Sequence, residues 1–312
     1  MAISRANIAK ELLPGLNAVF GLEYGEVNNE TEPLFESENS DRAFEEEVMF
    51  TGFATAPVKG EGAAVSYDTA QETYVSRYTN ETVSLAFAIT EEAMEDNLYD
   101  TFSKLRARGL ARAMANTKQV KGANVFNNGF STAAAYVGGD GVAFFSTSHP
   151  TVSDGIQSNH IGSNDLSESA LETVLTNVQK IKDDRGILIG ASSVSLHIPA
   201  DLWNTADQIL HTPGTTVAGG TSDGTYAQNT INAVRHMGMV PDGFYVNRRF
   251  TDTNAWFIKT DVPNGAKTFV RVPLQTKMEP DFDTGNLRFK ARERYSFGFS
   301  DWRSYFGSPG SS

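Results

Sequence analysis

The stretch FFSTSHPTVSDGIQSNH, residues 144–160, gathers Ser146, Ser148, His149, Asp154 and His160 within seventeen positions. Serine, histidine and aspartate are the parts of a nucleophilic triad, in which a base takes the serine proton and an acid orients the base. The spacing argues against that chemistry. A triad draws its members from separate rigid elements, and here they crowd one loop. Neither Ser146 nor Ser148 sits in a GxSxG elbow or beside a glycine-rich oxyanion motif. His149 precedes Pro150, which biases it to extended backbone, and Ser and Asp side chains bond their own backbone in loops. The stretch reads as a structured loop. A serine hydrolase built on residues 146–160 is the alternative from another class.

Other chemistries find less support. There is no cysteine, which excludes disulfides, thiolate metal sites and cysteine nucleophiles and fits a reducing compartment. The five histidines, His149, His160, His197, His211 and His236, show no HxH or HxxxH spacing, so no zinc site is expected. GGTSDG, residues 219–224, has glycines but no lysine, so it is not a phosphate loop. No cofactor is expected.

The elements that would carry these residues follow from patterning. Residues 1–46 read as an N-terminal arm, with a short helix over NIAKELLPGLNAVFGLEY interrupted at Pro14. The arm has few apolar residues and is expected to order on a neighbouring subunit. Residues 47–90 read as a β-ribbon with the mobile tip PVKGEG; Val83, Leu85, Phe87 and Ile89 alternate onto one face. Such a ribbon has little core of its own. Residues 91–127 read as a long helix with Thr90 as N-cap, an apolar stripe of Met94, Leu98, Phe102, Leu105, Ala113 and Val120, and a stop at NNGF.

DLSESALETVLTNVQKIKDDRG reads as an amphipathic helix. Asp165 and Glu168 have capping-box spacing, Leu171, Val174, Leu175, Val178 and Ile181 form the buried face, and Gly186 ends it. VSLHIP is a strand, ADLWNTADQILH a helix, TPGTTVAGGTSDGTYAQ a flexible loop, and GFYVNRR and AWFIKTD strands. FVRVPLQTKMEPDF and LRFKARERYSFGFSDWRSYF form a hairpin about the turn DTGN. In its second strand Leu287, Phe289, Ala291, Tyr295, Phe297 and Phe299 share one face, and Arg288, Lys290, Arg292 and Arg294 the other. That basic row is the strongest charge pattern in the chain. It is expected to pair with an acidic segment such as Glu45, Glu46 and Glu47, with DNA contact or a solvated face as the other readings.

Composition bounds the class. The chain has 312 residues, 40% hydrophobic and 21% charged, so a packed, soluble fold is expected. No apolar run reaches the roughly 18 residues of a membrane span, and MAISRANIAKELLPGL has no signal-peptide core. The net charge is −12. A sequence-independent DNA binder carries a basic surface, so this chain suits a wall around DNA better than a binder of it.

The order of parts, acidic arm, long β-ribbon, long helix, α/β region and long C-terminal hairpin, resembles the major capsid proteins of tailed double-stranded DNA phages, which have the Hong Kong 97-type α+β fold. The block from FSTSHP to DDRG looks most like the Mu-type major head subunits, and VSLHIPADLWNTADQIL is similar to the strand and helix that open the second half of their A-domain. The resemblance covers essentially the whole chain. It implies that 47–90 is the E-loop, 91–167 the P-domain with its spine helix, 168–265 the axial A-domain, and 266–312 the return to the P-domain. It implies a structural protein, not an enzyme, that assembles as hexamers and pentamers into an icosahedral shell around viral DNA, with the virion as its place after assembly in the host bacterial cytoplasm. Only about 46 residues precede the ribbon, fewer than the scaffolding segment of many such proteins, so a separate scaffolding protein is expected, with a portal protein and optional decoration proteins as further partners and no membrane. In one branch of the family an E-loop lysine cross-links to an asparagine; Lys59 sits at the tip here, but no partner asparagine can be named, and an inter-subunit ion pair is expected instead. An encapsulin-type cellular compartment is the alternative within the same fold.

Overall fold

The computed structural model describes residues 5–92, 99–217, 228–281 and 283–311. Helix α1 (Arg5–Glu26) leads to strand β1 (Glu36–Asn39), then β2 (Phe44–Phe50), β3 (Glu72–Thr79), β4 (Glu81–Ile89) and the long helix α2 (Tyr99–Asn127). After the short strands β5 (His149–Pro150) and β6 (Ile156–Gln157) come helix α3 (Glu168–Gln179), β7 (Ser193–Ile198), α4 (Trp203–His211), β8 (Gly214–Val217), β9 (Gln228–Ile231) and α5 (Ala233–His236). Strands β10 (Phe244–Val246), β11 (Trp256–Thr260), β12 (Ala266–Pro280), β13 (Leu287–Phe299) and β14 (Tyr305–Ser308) complete the chain.

Two four-stranded sheets organise these elements, one in the order β1-β12-β13-β4 and one in the order β10-β7-β11-β14. The hairpin expected at the C-terminus is β12–β13, antiparallel from Ala266↔Phe299 to Pro280↔Leu287. Its alternation is as the pattern demands: Leu287, Phe289, Ala291 and Tyr295 are buried, while Arg288 and Lys290 are exposed and Arg292 and Arg294 half-exposed. Past Phe299 the chain crosses to the second sheet through Trp302–Ser304 and enters β14.

The main core forms where α2, the 143–145 segment, β11 and β14 meet. Phe126 is its hub, within 4.9–6.2 Å of the rings of Phe35, Phe144, Phe145, Phe250, Phe257 and Tyr305. A Cβ on Gly129 or on Gly307 would lie 2.6 or 2.7 Å from the Phe145 ring, so both backbones press on that ring and only glycine fits. A second cluster joins Leu16 and Phe20 of α1 to Leu110, Ala111 and Met114 of α2 and Phe289 of β13.

Several sequence expectations change. The arm folds on its own subunit: Leu16 and Phe20 are 2% exposed, Leu34 is fully buried, and the Tyr305 hydroxyl donates to the Leu34 carbonyl at 2.7 Å. Its few apolar residues suffice because the sheet and α2 supply the other half of the core. Helix α1 runs through Pro14; a proline removes one backbone hydrogen bond, and the packing that follows outweighs that local loss. The ribbon is β2–β3 alone. Strand β4 leaves it after Asn80 and pairs with β13, Leu85 opposite Ala291, because Val83 and Phe87 find partial cover against the second cluster.

On α2, Leu105 is 63% and Val120 37% exposed. The buried face is instead Ala107, Leu110, Ala111, Met114, Ala115, Ala123 and Phe126, whose first four residues meet Leu16 and Phe20 of α1 and Phe289 and Ala291 of β13. Met94, Leu98 and the Phe102 side chain lie outside the described residues, as does GGTSDG. Ser167, not Asp165, caps α3, accepting from the Ala170 N–H at 3.2 Å; Asp165 is taken by the backbone and hydroxyl of Ser311. The expected buried face of α3 is buried, Leu171 through Ile181. The helix ends at Gln179, with Lys180 as C-cap, and Gly186 serves a later turn at φ 83°. Strands β8 and β9, at the two ends of the stretch read as a flexible loop, pair antiparallel; residues 218–227 between them lie outside the described residues.

Candidate assembly surfaces

The residues that opened the sequence reading do not form a triad. His149 is fully buried. Its Nδ1 lies 2.6 Å from Asp140 Oδ2 and its Nε2 3.0 Å from Asn159 Oδ1, so neither nitrogen is left for a serine. Ser146 and Ser148 bond each other, hydroxyl to hydroxyl at 3.2 Å. Asp154 faces Lys182 and Gln157. His160 accepts from the Gly162 N–H at 2.9 Å, and burial pushes its imidazole below the ordinary value.

What the stretch does is tie three segments together. The Asn159 amide donates to the carbonyls of Phe144, Trp302 and Tyr305 at 2.8–3.1 Å, and its oxygen accepts from the Ser146 N–H at 3.0 Å. His149 lies on the Trp302 ring. Arg303, 2% exposed, sits 4.5 Å over the same indole and pairs with Asp184 at 2.7 Å and Asp301 at 3.4 Å. Burial raises the Asp301 carboxyl despite that arginine.

A serine–histidine contact that sequence reasoning missed lies in β7: Ser195 Oγ is 2.9 Å from His197 Nε2. Both are at most 2% exposed. Burial, and secondarily the Lys259 charge, push His197 down to about 3. Their i, i+2 spacing puts them on one face of a strand, a signal legible in principle, but no substrate reaches this interior position. Among the described residues no cluster of His, Asp or Glu could hold a metal ion, and no helix is long and apolar enough to cross a membrane.

The surface is where unusual features collect. Residues 52–71, beyond the paired part of the ribbon, are exposed throughout; Val58 is 100%, Tyr67 96%, Phe53 64% and Val65 63% exposed. Lys59 stands at this tip. The ribbon itself shows Phe44, Val48, Phe50 and Val75 at 37–60%. So many exposed apolar groups on one projection mark an interaction surface.

The ribbon is anchored at its root. Glu47 bridges Lys267 and the Ser300 hydroxyl, Lys267 also donates to Glu38 at 2.7 Å and Asn264 at 3.0 Å, and the Tyr78 and Ser300 hydroxyls are 2.6 Å apart. Farther out, Arg185 holds Asp68 at 2.8 Å. The Ala54 backbone N–H, with Arg185 second, holds the Asp68 carboxyl below its usual range.

The glutamates expected to meet the basic row are thus engaged elsewhere within the subunit. Glu45 accepts from the Ser40 hydroxyl at 2.8 Å, Glu46 lies 3.8 Å from Arg77, and Glu47 serves the root. Arg288 pairs with Asp281 of its own hairpin. Lys290, Arg292 and Arg294 lie beside Ala86, Ser84 and Thr82 of β4, small uncharged neighbours. The chain does not bring the row and Glu45–Glu47 together.

Comparison with known proteins fits this surface. A family model described as phage capsid protein matches residues 73–306. The fold is similar to that of a virus-like particle from Pyrococcus furiosus, with a TM-score of 0.53 at 8% identity over 95% of this chain and 98% of that one. It is also similar to the capsid of an empty GTA particle, TM-score 0.53 at 12% identity over 91% and 90% of the two chains, and to that of a native GTA particle, TM-score 0.53 at 14% identity over 92% of each. No curated protein matches it by sequence. The chain belongs to the phage capsid protein family and is a major capsid protein, a structural shell component of the virion with the Hong Kong 97-type fold.

Proposed function

We propose that the chain assembles as hexamers and pentamers into an icosahedral head shell that encloses packaged double-stranded DNA. The observation that carries this reading is the exposed projection from Phe44 to Thr79, on which Phe50, Phe53, Val58, Val65 and Tyr67 find no cover in a single subunit. In this reading residues 1–46 are the arm, 47–90 the E-loop, 91–167 and 266–312 the P-domain, and 168–265 the axial A-domain, with β4 serving the P-domain sheet. The projection reaches over an adjacent subunit. A separate scaffolding protein directs curvature, a portal protein occupies one vertex, decoration proteins are optional, and assembly takes place in the host bacterial cytoplasm. The net charge of −12 keeps the shell from gripping DNA tightly. The chain's work is mechanical; catalysis has no part in it.

Negative-stain microscopy and sedimentation of the protein, expressed alone and with its scaffolding candidate, test the reading. Closed shells of uniform size are expected. A protein that stays monomeric under both conditions overturns it.

A further inference from the structure

Asn264 is the one non-glycine residue at positive φ among the described residues, at 59°. It precedes Gly265 in the turn that leads into β12. Both identities are set locally. Asparagine tolerates the left-handed region better than most side chains, and a Cβ at 265 would lie 2.2 Å from Ser304 Cβ. The fold therefore holds on to an Asn–Gly pair. In such a pair the glycine nitrogen, with no side chain beside it, meets little hindrance in attacking the preceding side-chain amide.

The surroundings favour that attack. Lys267 Nζ donates to Asn264 Oδ1 at 3.0 Å, where negative charge develops as the amide carbon becomes tetrahedral. Burial opposes the lysine charge, yet Glu38 and Glu47 raise it above the ordinary value, so the donor stays an ammonium. The Gly265 N–H makes no hydrogen bond among the described residues, and Asn264 is exposed to water. The other Asn–Gly pair, Asn128–Gly129, lacks these features. Its nucleophile is engaged, the Gly129 N–H donating to the Phe126 carbonyl at 2.9 Å, and the Asn128 amide donates to the Asn124 carbonyl at 2.9 Å. One feature slows the reaction at 264 relative to a free chain: the peptide must turn against the bonds from the Asp301 N–H to the Asn264 carbonyl, 2.8 Å, and from the Ser300 N–H to the Gly265 carbonyl, 3.0 Å.

We propose that Asn264 is a site of spontaneous deamidation and that its product loosens the root of the ribbon. The Gly265 nitrogen bonds to Asn264 Cγ, the Cγ–Nδ2 bond breaks, and the proton lost by the nitrogen passes through solvent to the leaving amide, which departs as ammonia. Water then opens the cyclic imide to aspartate or isoaspartate. Water is the only co-reactant, and nothing is oxidised or reduced. The new carboxylate joins Glu38 and Glu47 around the single ammonium of Lys267. Three like charges then share one cation, and Glu47, which lies in β2, is held less firmly. An isoaspartyl linkage also lengthens the backbone that Asp301 and Ser300 hold. The chemistry needs only the folded subunit, not the shell.

The folded wild-type subunit is incubated in mildly alkaline buffer and sampled over time. Acid-quenched digests are read by mass spectrometry, and isoaspartate is scored by enzymatic methylation. Conversion at 264 is expected at least about tenfold faster than at 128, in keeping with a donor placed on the developing charge. Equal rates at the two pairs, or faster conversion at 128, overturn the inference. So does an unmodified Asn264 after the time in which the urea-unfolded chain converts fully. The unfolded chain is expected to convert at both pairs alike; the same preference for 264 there would place it in the local sequence and overturn the role given to the fold. Asn264→Asp, which carries the product charge, is expected to speed amide exchange in β2 and β3 about threefold through local opening. Asn128→Asp, the same change away from the root, is expected to leave that exchange as in wild type. Unchanged exchange in Asn264→Asp, or an equal rise in Asn128→Asp, overturns the coupling to the ribbon.

Discussion

His149 lies flat on Trp302, the ring centroids 4.2 Å apart and the planes 7° from parallel. The contact joins the loop of residues 140–160 to the segment that carries the chain from one sheet to the other. A stretch with the composition of an active site is thereby a fastening.

His149→Ala should therefore destabilise the subunit by about 1–3 kcal/mol, since Asp140 Oδ2 loses its buried partner while Asn159 Oδ1 keeps the Ser146 N–H, and an unpaired buried polar group costs that much. Ser146→Ala and Ser148→Ala, at the rim of the loop, should cost no more than about 1 kcal/mol each. Denaturant unfolding reads both. A serine-directed probe should label none of the three variants or the wild type; labelling of Ser146 that depends on His149 would contradict the fastening.

Reversing the half-exposed charges in Arg292→Glu/Arg294→Glu should lower monomer melting only slightly yet give few or irregular shells. Each exposed ion pair between subunits contributes only about 0.2–1 kcal/mol, but a shell repeats it in every subunit. High salt should weaken wild-type assembly in the same direction, because exposed charges are screened beyond roughly 10 Å at 0.1 M. Well-formed empty shells from the double variant, with impaired packaging, would instead assign the row to DNA.

The pH response of His197 has a definite sign. Burial depresses it from 6.5 to about 3, so the unfolded chain binds the proton more readily. Its contribution is fully present above about pH 6.5 and is lost at about 1.4 kcal/mol per unit as pH falls toward 3. His197→Gln should flatten that part of the stability profile. An unchanged slope between pH 6.5 and 4 would show that other groups carry it.

Glu293 has the opposite sign. It is 2% exposed on the inner face of β13, 3.9 Å from Lys118, and accepts from the Tyr24 hydroxyl at 3.3 Å. Burial raises its carboxyl above the ordinary value, with Lys118 and Tyr24 opposing. The folded state thus holds the proton more tightly than the unfolded chain, and the ionised group costs stability above its folded value. Glu293→Gln should raise the melting temperature at neutral pH, and the gain should shrink as pH falls toward the ordinary carboxylate range. A loss of stability at pH 7 would mean that the Lys118 pair outweighs the burial.

Patterning within single elements determined much of this protein. The period-two alternation from Leu287 to Phe299 specified the long strand and its basic row, the apolar face Leu171 to Ile181 specified α3, and the order of parts was enough to indicate a shell protein. These depend on neighbours in sequence, so the sequence carries them. What only the tertiary structure decided depends on which surface meets which. Val83 and Phe87 alternate equally well in a free ribbon or in a sheet, and the second cluster settled the choice by partly covering them. Leu105 is more apolar than Ala111, yet Ala111 is buried, because the helix turns that face to α1 and β13. Asp140, Asn159 and Trp302 are up to 162 residues apart in sequence, and nothing local announces that they meet at His149. Glu45 to Glu47 were legible as an acidic run, but their partners Ser40, Arg77 and Lys267 follow from how the ribbon root packs, not from charge pattern.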